Sequence, residues 1–239
     1  MKINCFSITF WFDIYDKHNE IIELFQKEFE SEFNQFNVMN YTNNLLSPII
    51  TSVNNEQKTN FVFSQINLQY NMDSVNINNI EEFKEKCLKI YNLLITNNIE
   101  VKHTAIFVNG EMIDEKALEK LSSRFLNNNL LDDDLVDISL KIGKKSEDLF
   151  YKIITVLNKK QIKLPRKVDE KGRLVPIPLI SWNGSIVENE IIEISYEIND
   201  KYLFDFTKNY HTTEFYLNKM LYIFGEDLKE DILNLINSN

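Results

Sequence analysis

The first fourteen residues alternate between apolar and polar side chains. A period of two is the pattern of a strand that buries one face. The stretch lacks the small-x-small cleavage site of a signal peptide, so it predicts a strand and not an export signal. The apolar face comprises Phe6, Ile8, Phe10, Phe12 and Ile14, and the other face carries Ser7, Thr9 and Asp13.

Two later segments repeat their apolar residues every three or four positions, which predicts amphipathic helices. They cover residues 17–36, with Phe25 and Phe29 on the buried stripe, and residues 76–98. An extended segment at 37–50 and an alternating run at 59–71 predict two strands between these helices. A further alternating run, EVKHTAIFVNGEM, predicts a strand that closes at Asn109-Gly110. The predicted order over residues 3–109 is β-α-β-β-α-β, which is the ferredoxin-like pattern.

The second half of the chain reads as rich in strands, with helix at its end. The pattern predicts a helix at 114–125, a hairpin at 135–157 that turns at 143–147, strands at 180–185 and 191–198, and a C-terminal helix with a possible break at Gly225. The fold class is therefore predicted to be α+β. We expect a ferredoxin-like unit in residues 1–110 and a second α+β unit in 111–239, packed together as one compact body.

Composition adds a strong acidic balance. The chain has 239 residues, 26 Lys and Arg against 36 Asp and Glu, and a formal net charge of −10. Its two cysteines lie in apolar patterns, which favours a reducing compartment. No stretch approaches the roughly 20 apolar residues of a membrane helix. We therefore expect a cytoplasmic protein that does not enter membranes.

Residue patterns that would support common chemistry are missing from the sequence. With 5 glycines, neither a phosphate-binding loop nor a dinucleotide fingerprint can be placed. His18, His103 and His211 are far apart, and the two cysteines lack zinc spacing. The acidic cluster at 132–137 lacks the glycine and terminal glutamate of a calcium loop. We expect no metal and no cofactor, and we favour a binding protein over an enzyme.

One catalytic alternative involves His18, at the start of the first predicted helix. The position is similar to that of a general acid–base histidine in RNA-processing endonucleases of the CRISPR repeat-cleaving type, which pair two ferredoxin-like domains. That resemblance implies ribonuclease activity with His18 as the catalytic residue. Those families also carry a glycine-rich loop near the C terminus, which this sequence does not match, so a surface or capping role for His18 is favoured.

The segment KKQIKLPRKVDEKGRLVPIPLISWNG, residues 159–184, is rich in lysine, arginine and proline. Residues 141–173 contain 11 Lys and Arg against 4 Asp and Glu, a local charge of +7 that leaves −17 for the rest of the chain. The segment can be a solvated hairpin, a site for an acidic protein surface, including a second copy of this chain, or a contact for a nucleic-acid backbone. The candidate binding residues are Lys159, Lys160, Lys163, Arg166, Lys167, Lys171 and Arg173.

Two features favour a protein partner for this basic segment. The acidic remainder of the chain repels nucleic acid, and aromatic residues that would stack on bases are scarce within the segment. The sequence thus favours a non-enzymatic binding or accessory protein, an inhibitor or a complex subunit. The alternative is an RNA-processing ribonuclease or a nucleic-acid-binding protein built on ferredoxin-like units.

The segment KHTAIFVNG, residues 102–110, carries a family resemblance. Together with the length and the order of elements, it resembles a sporadically distributed family of uncharacterised bacterial proteins, whose members show a basic residue followed by an Arg-Tyr-x-Asn strand ending. Lys102, Phe107 and Asn109 are compatible with that pattern, whereas Thr104 replaces a glycine and Ile106 an arginine. The resemblance implies a link to mobile elements, phages or phage defence, and no particular chemistry.

Overall fold

The computed structural model describes most of the chain. The described residues are 2–13, 18–30, 35–39, 49–54, 58–73, 75, 77–113, 137–146, 149–158, 166–168, 174–176 and 191–237. The chain divides into two compact units, a larger one formed by 2–110, 141–154 and 194–239, and a smaller one formed chiefly by 111–140 and 155–193. The larger unit thus takes in chain from both sides of residue 110.

The fold is α+β, as predicted. The first part contains β1 (Lys2–Phe12), α1 (His18–Glu28), β2 (Gln35–Met39), β3 (Ile49–Asn54), β4 (Thr59–Phe63), β5 (Asn67–Asp73), a short 3₁₀ turn (Ile77–Asn79), α2 (Ile80–Thr96) and β6 (Val101–Ile113). The second part contains β7 (Asp137–Ser146), β8 (Leu149–Asn158), β9 (Arg166–Val168), β10 (Leu174–Pro176), β11 (Ile191–Asn199), α3 (Lys201–Phe206) and α4 (Glu214–Asn237).

Four strands, not two, lie between α1 and α2. The run at 59–71 is interrupted by a turn in which the Ser64 side chain accepts the backbone N–H groups of Ile66 and Asn67 at 3.3 and 3.1 Å. A serine that satisfies backbone donors in this way stabilises a turn. The strand at 37–50 is also replaced by two strands, β2 and β3. The structure therefore has two strands more between α1 and α2 than the predicted β-α-β-β-α-β order.

Other elements also differ from the predictions. Gly143 lies inside β7, which continues to Ser146, so the predicted turn at 143–147 begins too early. Helix α4 runs through Gly225 without a break. Helix α3 was not predicted at all. The predicted helix at 114–125 and strand at 180–185 lie outside the described residues.

Nine strands that lie wholly or partly in the larger unit form one sheet, in the order β2-β3-β4-β5-β1-β6-β11-β8-β7. The five strands from β2 to β1 in this order pair antiparallel. The β1–β5 register places Ile8 opposite Tyr70 and Ser7 opposite Asn71. Because side chains alternate between faces along a strand, this register brings apolar side chains together on one face and polar ones together on the other.

The helices pack on the apolar face. Phe6 of β1 contacts Phe83 of α2 and Phe224 of α4, with ring centroids 5.4 and 5.2 Å apart. All three rings are fully buried, and burying a side chain of this size contributes about 2–3 kcal/mol. Phe25 of α1 packs edge-on against Phe61 of β4 at 5.8 Å. The phenylalanine stripes read from the sequence are therefore core.

The opposite face of the central strands is polar. The Gln69 side-chain amide donates to the Ser7 hydroxyl at 3.1 Å and to the side-chain Oδ1 of Asn71 at 2.8 Å. Asn71 in turn donates to Asn60 at 2.6 Å.

Among the described residues, no helix is both long and apolar enough to cross a membrane.

Candidate functional site

The predicted site residues fall in three places. His18 is the first residue of α1, and its side chain is not among those described. Arg166 and Lys167 lie in β9, which pairs antiparallel with β10, so that Arg166 stands opposite Pro176 and Lys167 opposite Val175. This part of the basic segment is therefore a short hairpin in its backbone. The remaining candidates lie outside the described residues: Lys159, Lys160, Lys163, Lys171 and Arg173.

A buried carboxylate organises the region where β11 passes into α3. Asp200 is 0% exposed. Its Oδ1 accepts the backbone N–H of Thr104 at 2.7 Å, and its Oδ2 accepts the hydroxyls of Thr212 and Tyr210 at 2.6 and 2.8 Å. Three donors satisfy the carboxylate, as a buried ionisable group requires.

The same network reaches α2. The Thr104 hydroxyl donates to the Thr212 hydroxyl at 3.1 Å, and the Tyr91 hydroxyl donates to the Thr212 carbonyl at 2.9 Å. The backbone N–H of Thr212 donates to the Val101 carbonyl at 2.8 Å. Side chains from α2, β6 and the connection between α3 and α4 thus converge here. The network fixes the start of α3 and the approach to α4 against the first residues of β6.

Burial governs the ionisation of this network. It raises the pKa of Asp200 above its ordinary value, although the hydrogen bonds from Thr104, Thr212 and Tyr210 act in the opposite direction. Burial, followed by the charge of Asp200, also raises the pKa of Tyr210. Because Asp200 is fully buried and already accepts three hydrogen bonds, the carboxylate is suited to holding structure and not to meeting a substrate.

A row of three rings lies beside this network. The His103 ring of β6 lies against Trp11 of β1 and Phe204 of α3 in tilted contacts, with ring centroids 4.4 and 5.1 Å apart. The Nδ1 atom of His103 is buried and has no hydrogen-bond partner among the described residues. Burial lowers the pKa of His103 to about 4, and the charge of Lys201 acts in the same direction. His103 is therefore neutral at pH 7 and packs as an aromatic ring that anchors α3.

Helices α3 and α4 expose large aromatic side chains. Among the residues whose side chains the structure describes, six large apolar side chains are exposed, and five of these belong to the two helices. We call these five the α3–α4 aromatic surface. They are Tyr202 (39% exposed), Phe204 (39%), Phe206 (73%), Phe215 (67%) and Tyr222 (66%).

The geometry within this surface is ordered. Tyr202 and Phe206, one helical turn apart on α3, have ring centroids 4.5 Å apart. Phe215 and Tyr222 are seven residues apart on α4, a spacing that places two side chains on the same side of a helix. Phe215 also packs against Tyr216 at 5.3 Å. Four of the five exposed rings, those of Tyr202, Phe204, Phe206 and Phe215, thus contact a neighbouring ring.

Charges around the surface are paired. Lys201 contacts Asp205 at 2.8 Å along α3. Lys102 contacts Asp13 at 3.0 Å and Glu100 at 3.4 Å, and the hydrogen bond to Asp13 is the main cause of its raised pKa. Exposed pairs of this kind contribute about 0–1 kcal/mol each.

Sequence reasoning missed this site because α3 is short. The segment KYLFDF has aromatic residues at 202, 204 and 206, an alternation that does not distinguish a helix of six residues from the end of a strand. The available signal was the density of aromatic residues after Asp200. No periodicity indicated that they would be exposed.

The described part of the chain contains no group of three or more His, Cys, Asp or Glu side chains placed to hold a metal ion. The comparisons with known proteins add no assignment, since no family model, curated protein or solved structure matches the chain.

Proposed function

We propose that this chain is a non-enzymatic binding protein that acts through protein–protein contact, as an inhibitor or a subunit of a complex. The observation that carries the proposal is the α3–α4 aromatic surface, with five large aromatic side chains between 39% and 73% exposed. Tyrosine and other aromatic residues are enriched at protein interfaces, where a few of them supply most of the binding energy.

The surface is also held rigidly, which favours binding. The start of α3 is fixed by Asp200, and Phe204 is packed against His103. A surface that is already ordered before binding loses less conformational entropy when a partner arrives. The Asp200 network therefore supports the proposal by presenting the aromatic side chains in one arrangement.

The basic segment is proposed as a second contact. Residues 141–173, which include most of this segment, carry an excess positive charge of seven in a chain of net charge −10, and this suits an acidic protein surface better than a nucleic-acid backbone. Arg166 and Lys167 would meet the partner from the β9–β10 hairpin. The family resemblance of residues 102–110 supports a setting in phages, mobile elements or phage defence.

The ferredoxin-like character of the first part is also a proposal. Strands β4, β5, β1 and β6 are consecutive in the sheet, and the pairs β4–β5 and β5–β1 are antiparallel. With α1 and α2 they would form the predicted unit, to which β2 and β3 add a hairpin at the sheet edge. Such units host many unrelated activities, so this proposal leaves the function open.

Co-purification from the native host tests the proposed function. The tagged parent chain, the double variant Phe206→Ser/Phe215→Ser and the control Ile95→Ser would be compared. Ile95 is the sixth exposed apolar side chain and lies on α2, at 40% exposure. We expect the parent and the control to retain one stoichiometric protein, either a second copy or another chain, that the double variant loses. Equal retention by all three variants, or no retained protein, would contradict the proposal.

A further inference from the structure

We infer that strand β2 pairs with β2 of a second copy of this chain, so that the two nine-stranded sheets continue as one across a two-fold axis. The strand stands first in the sheet order, and among the described strands only β3 pairs with it. Its outer side therefore offers backbone N–H and C=O groups to a further strand. The inference goes beyond the proposed function, because it uses none of the residues of the α3–α4 aromatic surface.

The two ends of the sheet differ in charge. Strand β7, at the other end of the order, contains Asp137, Lys141, Lys144 and Lys145 within ten residues. Lysines on an edge strand discourage pairing with another chain. Strand β2 has the sequence QFNVM, without a charged residue, a proline or a glycine. The edge at β2 thus lacks the features that protect the edge at β7.

The sequence of β2 suits pairing with itself. A two-fold axis at Asn37 gives the one antiparallel register that pairs all five residues of each copy. It sets Asn37 opposite Asn37, Phe36 opposite Val38, and Gln35 opposite Met39 of the second copy. Pairs of an aromatic and a β-branched residue stabilise antiparallel strands, and this register forms two of them. Because β2 carries no charge, no like charges meet across the axis.

The faces of the two sheets also match in this arrangement. Val38 lies opposite Ile50 of β3, which lies opposite Phe63 of β4. Phe63 is buried against α1. Val38 and Phe36 are therefore at positions on the face that bears the helices, and Asn37 is at a position on the polar face. Because the two-fold axis of an antiparallel pair is perpendicular to the sheet, apolar positions of one copy continue those of the other.

A second copy is favoured over a peptide from another protein because its strand is already ordered. Strand β2 is held in the sheet by five residue pairs with β3. A disordered peptide would lose the backbone freedom of every residue that pairs, whereas a second β2 has lost that freedom on folding. The net charge of −10 opposes the approach of two copies at long range. That repulsion is screened over about 8 Å at physiological salt, so association should strengthen as salt is added.

Sedimentation velocity over about 10–300 µM protein tests the inference, since an edge-to-edge contact is small and small interfaces bind weakly. We expect the parent to shift from its monomer mass of 28.3 kDa towards twice that mass, more readily in high salt than in low salt. Asn37→Lys and Asn37→Asp should each weaken association at least tenfold, because each places like charges opposite one another at the axis. An equimolar mixture of the two variants should dimerise at least as well as the parent, since opposite charges then meet.

The matched control is Asn92→Lys, the same change at an exposed position of α2, which should leave association unchanged. A parent that stays monomeric throughout this range overturns the inference. So does a dimer that persists in both Asn37 variants, or a mixture of the two that stays monomeric. Recovery in the mixture also shows that both variants are folded.

The same variants separate a second copy from another strand partner. If the parent is monomeric yet retains a different chain that Asn37→Lys loses in co-purification, the edge pairs with another protein and the second copy is overturned. The proposed function fails or stands separately, because its test depends on Phe206 and Phe215 and not on Asn37.

Discussion

Thr212 and Asp200 connect the approach to α4 with the start of α3. The Thr212 hydroxyl donates to the Asp200 carboxylate over 2.6 Å, across twelve residues of chain. Both residues are 0% exposed. Their contact decides where α3 stands, and therefore where the α3–α4 aromatic surface is presented.

Substitution of Asp200 by alanine should destabilise the protein strongly. It would leave the backbone N–H of Thr104 and the hydroxyls of Thr212 and Tyr210 without their acceptor. We expect the free energy of unfolding to fall by about 3 kcal/mol, since each buried donor that loses its partner costs about 1–3 kcal/mol and losses within one network are not additive. Urea denaturation measures the change.

A matched control for Asp200 is available on the same helix. Asp205 pairs with Lys201 at the surface, so Asp205→Ala should cost about 0.5 kcal/mol or less. If the two alanine variants unfold at the same urea concentration, the buried network does not contribute in the way described.

His103 should make the protein less stable in acid. Its pKa is about 4 in the folded chain, below the ordinary value of 6.5, so the unfolded chain binds the proton more readily. The stability contributed by neutral His103 is therefore complete above pH 6.5 and is lost as the pH falls towards 4 and below. For this partly buried ring we expect a loss of about 1–2 kcal/mol over that window.

The variant His103→Phe should remove this part of the acid sensitivity. Phenylalanine can pack between Trp11 and Phe204 and has no nitrogen to leave unpaired. Unfolding curves at pH 7, 5.5 and 4 should show the parent losing stability relative to His103→Phe as the pH falls. Parallel curves for the parent and His103→Phe would rule out this role for His103.

Gly225→Ala should stabilise the chain modestly. Gly225 lies inside α4, where alanine is favoured over glycine by about 1 kcal/mol. A methyl group there would meet the end of the Lys84 side chain, which is flexible and can move aside. We expect a net gain of about 0.5 kcal/mol by thermal denaturation. Gly225→Leu is the contrasting variant, since a larger side chain would also reach Ile80, 3.6 Å from the position of the added Cβ.

Charge reversal tests the basic segment. Changing Lys163, Arg166 and Lys167 together to Glu should abolish capture of an acidic partner and leave the melting temperature nearly unchanged. Reversal of two exposed lysines elsewhere, Lys27 and Lys208, is the control and should preserve capture. Capture by electrostatic contact should also weaken as salt rises. Undiminished capture by the triple variant would make the segment a solvated hairpin.

The ribonuclease alternative has its own test at His18. We expect no cleavage when the parent chain is incubated with structured RNA. If the parent cleaves and His18→Ala does not, with both proteins equally folded by circular dichroism, the protein is an enzyme and the binding proposal fails.

The sequence by itself determined those helices and strands that bury one face and expose the other. Strand β1, helices α1 and α2, strand β11 and the C-terminal helix all follow from apolar periods of two or 3.6, because a half-buried element must place its apolar residues on one side. The α+β class follows from these elements. The basic segment is also evident from the sequence, because a cluster of charged residues can be recognised without knowing the fold.

Only the tertiary structure decided which surfaces are covered. The turn at Ser64 divides one alternating run into β4 and β5, and α4 continues through Gly225 because its packing outweighs the local preference of glycine. The burial of Asp200 depends on Thr104 and Thr212, which lie 96 and 12 residues away. An aromatic residue looks the same in a sequence whether it is buried or exposed. The exposure of Phe206 and Phe215 is therefore decided by how α3 and α4 pack, which local periodicity does not encode.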